Sequence, residues 1–219
     1  MKVLLTGAGS GIGHELARRL AERGDELVLV VRSADRAADF PDATVLVADL
    51  ADPGSIEALT LPERLDAVVH AAGVVELGPV AELRTDAWQS QLAVNLLAPA
   101  VLTRLALPAL RAAQGTVVFV NSGAGLNANP GWAAYAASKF GLRALADSLR
   151  AEESAHGVRV TSVYPGRTAT PMQEKVHQQE SKEYDAGRWI QASTVVATIV
   201  HVLDLSRDAT VPDVTLRPS

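Results

Sequence analysis

The chain has no cysteine among its 219 residues, which excludes disulfides, thiolate metal sites and a cysteine nucleophile. Aromatic residues make up only 4%, and the five histidines are scattered without paired ligand spacing, so a metal centre has no ligand set to draw on. Basic residues are outnumbered, 20 against 25 acidic, for a formal net charge of −5. No basic stripe of the kind that follows nucleic acid or an anionic membrane is present. Long apolar runs are missing too. Val3-Leu4-Leu5 gives way at once to Thr6-Gly7, too short for the apolar region of a signal peptide. The stretch Leu92–Leu102 is interrupted by Asn95 and Pro99 and falls short of a membrane span. These absences lead to the expectation of a cytoplasmic protein with no nucleic-acid or membrane partner and no metal.

What remains is a regular alternation. Apolar, β-rich runs occur at Lys2–Thr6, Glu26–Val31, Thr44–Val47, Asp66–His70, Gly115–Asn121, Arg159–Tyr164 and Asp213–Leu216. Helical patterns lie between them at Ile12–Arg23, Gly54–Thr60, Asp86–Arg111, Ala133–His156 and Ser193–Leu203. Near-continuous Val/Leu/Ile runs are the pattern of strands buried on both faces of a parallel sheet. The alternation therefore predicts a single doubly wound, Rossmann-type α/β domain over 1–219, with a mainly parallel sheet of about seven strands flanked by helices. One polar stretch, Gln173–Arg188, interrupts the pattern. It reads as an exposed insertion, either a solvated surface helix or a lid over the substrate side spanning 167–190.

Three segments carry chemistry. Thr6-Gly7-Ala8-Gly9-Ser10-Gly11-Ile12-Gly13 joins the first strand to the first helix, the place where such a fold binds a dinucleotide. Its glycines let the backbone approach a pyrophosphate, and the helix N-terminus offers free N–H groups. The second predicted strand ends in Val31-Arg32-Ser33, with no acid to accept from a ribose 2′-hydroxyl. Arg32 suits a 2′-phosphate instead, which favours NADP over NAD. Ser122, in Val120-Asn121-Ser122-Gly123, places a hydroxyl at the carboxyl end of a strand, where it can meet developing charge on a substrate oxygen. Tyr135 and Lys139 stand four residues apart, on one face of a helix. An ammonium beside a phenol favours phenolate, and is expected to lower the phenol from its ordinary pKa of about 10 toward the working range of an acid-base group. Pro99 cannot donate to the Asn95 carbonyl four residues earlier, which leaves that carbonyl available to a water near Lys139.

Taken together these segments resemble the short-chain dehydrogenase/reductase family, in its TGxxxGxG and YxxxK branch. TGAGSGIG at 6–13, Ala-Asp-Leu at 48–50, HAAG at 70–73, Asn95, Ser122, YAASK at 135–139 and Tyr-Pro-Gly at 164–166 with Thr168 carry the likeness over nearly the whole chain. The resemblance implies hydride exchange between a nicotinamide cofactor and an alcohol or carbonyl compound. Tyr135 would be the acid-base, with Lys139, Ser122 and Asn95 completing the catalytic set. Cofactor contacts would come from Gly7, Ser10, Gly11, Ile12, Gly13, Arg32, Asp49, Leu50, Ala72, Gly73, Tyr135, Lys139, Pro165, Gly166 and Thr168. His70-Ala71 departs from the asparagines the family shows in its NNAG motif.

The alternative is a non-catalytic NADP-binding sensor or regulatory protein on the same fold. Such a protein would be expected to lose its acid-base residue, and all four catalytic positions are occupied here. Val74, Val75, Leu126, Trp132, Met172 and 173–189 are expected to shape the substrate pocket, with Arg167 placed either to meet an acidic substrate or at the surface. The apolar stretch Leu92–Leu110 suggests a homodimer or homotetramer.

Overall fold

The inner strands of the sheet have apolar side chains on both of their faces, and both faces are covered. In the computed structural model, which describes residues 1–219, β1 (Lys2–Thr6) sends Val3 and Leu5 into one core and Leu4 into the other. Six further strands join it: β2 (Glu26–Val31), β3 (Thr44–Val47), β4 (Ala67–His70), β5 (Thr116–Val120), β6 (Arg159–Pro165) and β9 (Asp213–Leu216). All pair in parallel, in the order β3-β2-β1-β4-β5-β6-β9. The first core lies under α1 (Gly11–Glu22) and α7 (Ala192–Asp204); the second lies under α4 (Ala98–Ala113), α5 (Ala133–Glu153) and the short α2 (Pro53–Glu57). The predicted doubly wound domain of about seven strands is the observed one. Strand order reverses between β1 and β4, so the connections leaving these two strands run in opposite directions and a crevice opens outside their carboxyl ends.

The long helical segment departs from expectation. α3 (Thr85–Leu92) runs into α4 through a π-helical turn at Ala93–Leu97, where the Ala98 N–H reaches back five residues to the Ala93 carbonyl. The cause is local. Pro99 has no N–H to give Asn95, so the ladder widens by one residue instead of bending alone. Nor does the apolar stretch end where the sequence suggested. The helix continues over Thr85–Ala113, 29 residues containing an 18-residue window of mean hydropathy 1.6, and by length and composition it is sufficient to cross a membrane. Its inward face, with Leu102, Ala106, Ala109 and Leu110, packs on the sheet.

The 167–190 segment also differs. Two-residue strands β7 (Thr168–Ala169) and β8 (Ile190–Gln191) pair in parallel and close it into a loop around α6 (Pro171–Gln179). The expected exposure of Gln173–Arg188 fails for α6, where Gln173, Val176 and His177 are buried. Polar composition concealed this face. Gln173 and His177 satisfy one another across one helical turn, so two polar residues serve as core.

Candidate active site

At the open ends of β1 and β4 the chain narrows onto itself. Gly7 has φ of +82°, a conformation that side chains avoid, and a Cβ there would stand 2.7 Å from the Ala72 nitrogen. Thr6 Oγ1 accepts from the N–H groups of Ala71 and Ala72, holding the two strand ends together. Ser10 begins α1 without a side-chain cap, and the helix has no acid in its first turn. Its leading N–H groups and positive dipole end are therefore left to a ligand. Gly13 differs from the other loop glycines. A Cβ on it would meet the Gly7 carbonyl oxygen at 2.3 Å, so it lets α1 approach the loop, and it does not line the cavity.

The catalytic floor is built from β5 and α5. Ser122 follows β5, and its Oγ accepts from the Ala124 N–H at 3.1 Å, which leaves the hydroxyl proton free. Asn121 Nδ2 donates to the Lys139 carbonyl at 3.1 Å, fastening α5 to the end of β5. Lys139 Nζ donates to the Val120 carbonyl at 3.0 Å and lies 5.9 Å from the centre of the Tyr135 ring. Burial brings the Lys139 ammonium down to about 8. The expected lowering of Tyr135 is not what the structure gives. Burial pushes the phenol up, and the facing Ser122 hydroxyl draws it only partly back. Losing water costs the phenolate more than a lysine already engaged by a main-chain carbonyl returns to it.

Asn95 does not reach the cavity. It is fully buried, with Oδ1 accepting from the Val74 N–H at 2.8 Å and Nδ2 donating to the Val74 carbonyl at 2.9 Å and to Ser138 Oγ at 3.0 Å. Ser138 donates in turn to the Tyr135 carbonyl at 2.7 Å. A continuous chain of hydrogen bonds thus ties the segment after β4 to the turn of α5 that bears Tyr135. His70 is also structural. It is buried, stacks on Phe119 at 5.0 Å and hydrogen-bonds Thr103 Oγ1 at 2.8 Å.

One cavity of about 530 Å³ joins these parts. Its walls include Gly7, Ser10, Gly11, Ile12, Arg32, Asp49, Leu50, Ala72, Gly73, Ser122, Tyr135, Lys139, Pro165, Gly166 and Thr168. Every expected cofactor residue except Gly13 is therefore gathered at one site, with Asn95 directly behind it. Ala8, Gly9, Arg36, Asn121 and Asn129 line it as well, and sequence reading passed over them. Arg36 lies across Gly9, its side chain 3.4 Å from where a Cβ would be, a contact that no local spacing announces. Of the expected pocket residues, Val74, Val75, Trp132, Met172, Gln173 and Val176 line the cavity, and so does Arg167; Leu126 and the rest of 173–189 do not. Nowhere do three His, Asp or Glu side chains gather as metal ligands.

Comparison with known proteins agrees with this geometry. The profile of a family described as short chain dehydrogenase matches residues 1–181. An uncharacterized oxidoreductase of Staphylococcus epidermidis is 28% identical over 226 residues, covering 98% of this chain and 96% of its own. The oxidoreductase UcpA of Escherichia coli is 33% identical over 194 residues, 82% of this chain and 74% of that one. Among solved structures, an actinorhodin polyketide ketoreductase with NADPH superposes with a TM-score of 0.89 at 26% identity, over 98% of this chain and 95% of that one.

Proposed function

Because the chain belongs to the short-chain dehydrogenase family of oxidoreductases, we propose that it moves a hydride between NADP(H) and an alcohol or carbonyl compound, with Tyr135 as the acid-base. The observation that carries this reading is the convergence of Ser122, Tyr135 and Lys139 on the same cavity as the glycine loop and the uncapped α1 terminus. The cavity fits a dinucleotide in charge and shape. Small residues and a free helix N-terminus face the pyrophosphate position, and Arg32 and Arg36 stand beyond it with no acid at the end of β2.

When bound, the cofactor supplies hydride transfer at its nicotinamide ring, and the remaining tasks fall to side chains. Ser122 directs its free hydroxyl proton at the substrate oxygen, where negative charge grows during reduction. Tyr135 holds its proton at neutral pH because it is buried, so it is ready to deliver that proton to the same oxygen. Lys139 keeps a positive charge beside the phenol through neutral pH, stabilising the phenolate left behind. Asn95 acts as a positioning residue through Val74, Ser138 and the Tyr135 main chain. The 167–190 segment forms the substrate-side cover, with Met172, Gln173 and Val176 facing inward. Leu92 and Leu97 on the α3–α4 segment and Phe140 on α5 are exposed, which supports self-association through these helices.

Replacement Tyr135→Phe keeps the ring and removes the proton. Turnover of NADPH with a carbonyl panel should fall about 10³-fold or more, the scale of losing acid catalysis at a prearranged site, while cofactor binding changes little. Turnover equal to that of the native chain would overturn the reading.

A further inference from the structure

We infer that the substrate carries a carboxylate set apart from its reacting carbonyl, and that Arg167 is the residue that receives it. This inference rests on the oxidoreductase reading above and adds the class of substrate to it.

The charges on the cavity wall are unequal. Its charged lining residues are Arg32, Arg36, Lys139, Arg167 and a single carboxylate, Asp49. Asp49 follows β3, at one edge of the sheet, together with the two arginines near β2. Arg167 follows β6, toward the opposite edge, where the wall is formed by Trp132, Met172, Gln173 and Val176. The phosphate-directed cations and Arg167 therefore face different ends of the ligand. That end of the wall presents a cation and no carboxylate, because the carboxylate that pairs with Arg167, Glu180, lies outside the lining.

Arg167 is also held in a way that suits recognition. Its guanidinium lies 5.8 Å from the Trp132 ring centre and 5.5 Å from that of Trp189. Both hydrogen bonds it makes leave from Nη2, to the two oxygens of Glu180 at 2.7 and 2.9 Å. Nε and Nη1 remain, on different edges of a plane already oriented, and Nη1 keeps both of its N–H groups for a charge-assisted bond to a carboxylate oxygen. Glu180 is shared between Arg167 and the exposed Lys182, which pairs with it at 3.2 Å. Trp132 connects the group to the chemistry, its ring 5.8 Å from that of Tyr135. A substrate of a few carbons, carbonyl at Tyr135 and carboxylate at Arg167, follows that path.

A purely mechanical role, in which Arg167 only ties α6 to the body, makes different predictions. The test uses straight-chain methyl ketones with a terminal carboxylate, from 3-oxobutanoate to 6-oxoheptanoate, each against its methyl ester, with NADPH at low salt. In the native protein kcat/KM should favour the acids, with an optimum at one chain length. Arg167→Met should reduce that preference about 10- to 100-fold, the value of a charge-assisted pair, and leave ester turnover within about threefold of native. Arg167→Lys should fall between. Glu180→Gln should increase the preference, because it removes the competing carboxylate, whereas loss of a strut would slow acids and esters together. Equal losses for acids and esters in Arg167→Met, no acid preference in the native chain, or slower turnover of both in Glu180→Gln would each overturn the inference. Calorimetric titration of glutarate into the NADPH-loaded protein gives a readout without turnover. Binding in the native protein that vanishes in Arg167→Met supports the site even if no ketone is reduced, in which case the oxidoreductase reading alone has failed. Glutarate binding unchanged by the substitution removes Arg167 from the site.

Discussion

The two ends of the cavity are built by opposite means. At the catalytic floor Asn95, Lys139 and Tyr135 are 0%, 3% and 7% exposed, and Asn95 and Lys139 are hydrogen-bonded to main-chain atoms of a neighbouring element. At the far end Arg32 and Arg36 are exposed on the loop after β2. Reaction geometry needs atoms held within fractions of an ångström, and buried bonds to the backbone supply that. Holding a phosphate needs charge more than place, and on the proposed function that task falls to two exposed guanidinia. Substitutions at the floor should therefore disturb the whole protein, and those at the far end only the ligand.

The largest effect on folding expected from this contrast is at Asn95. Asn95→Ala removes three hydrogen bonds and leaves the Val74 N–H and carbonyl without their partner. Buried groups so stranded cost about 1–3 kcal/mol each, so a net loss of about 3 kcal/mol is expected, or roughly 6–12 °C in a chain of this size. Urea unfolding measures the free energy and a thermal scan the midpoint. A loss below about 0.5 kcal/mol would remove the distinction between the two ends.

A smaller effect, controlled by pH, comes from His70 under the same floor. Burial holds this imidazole neutral, with its pKa brought down from the usual 6.5 to about 3. Above pH 6.5 neither the folded nor the unfolded chain protonates it. Between pH 6.5 and 3 the unfolded chain takes up a proton that the folded one refuses, so stability falls by about 1.4 kcal/mol per pH unit. His70→Asn, which places an amide where the family shows asparagine, lacks this slope. Unfolding free energies of both proteins at pH 7, 5.5 and 4.5 should diverge in favour of the asparagine variant as pH falls. Parallel curves would mean that His70 is protonated inside the fold.

How much of this could be read before the structure follows from the same contrast. The glycine loop and the Tyr135–Lys139 pair are expressed as short spacings, and strand periodicity put the loop and Ser122 just after the carboxyl ends of β1 and β5. Ser138 and Asn121 act through partners 43 and 18 residues away, which no local pattern encodes. Gly13 misled because a glycine approached by the chain's own carbonyl has the same letter as one approached by a ligand. The spacing of Tyr135 and Lys139 gave their proximity correctly, but the phenol's acidity depends on desolvation, which the rest of the fold decides. The buried face of α6 was hidden by Gln173 and His177, polar residues that become core only by satisfying each other.

The smallest change is expected at Arg32. Its side chain is exposed, so Arg32→Ala should leave unfolding free energy within about 0.5 kcal/mol of native. The effect belongs to the ligand. If Arg32 grips a 2′-phosphate, its loss should weaken NADPH binding about tenfold, since an exposed charge-assisted contact contributes on the order of 1–1.5 kcal/mol. NADH, which lacks that phosphate, should bind within about twofold of native. Arg36 lines the same end of the cavity, so the paired replacement Arg32→Ala with Arg36→Ala should exceed either single one and bring the two cofactors to similar affinity. Raised ionic strength should mimic the loss, because exposed charges are screened within about 10 Å at 0.1 M salt. Fluorescence titration of both cofactors against the three variants decides it. Equal weakening of NADH and NADPH would place Arg32 against a part of the dinucleotide that both share, and the preference for NADP would then have no residue to carry it.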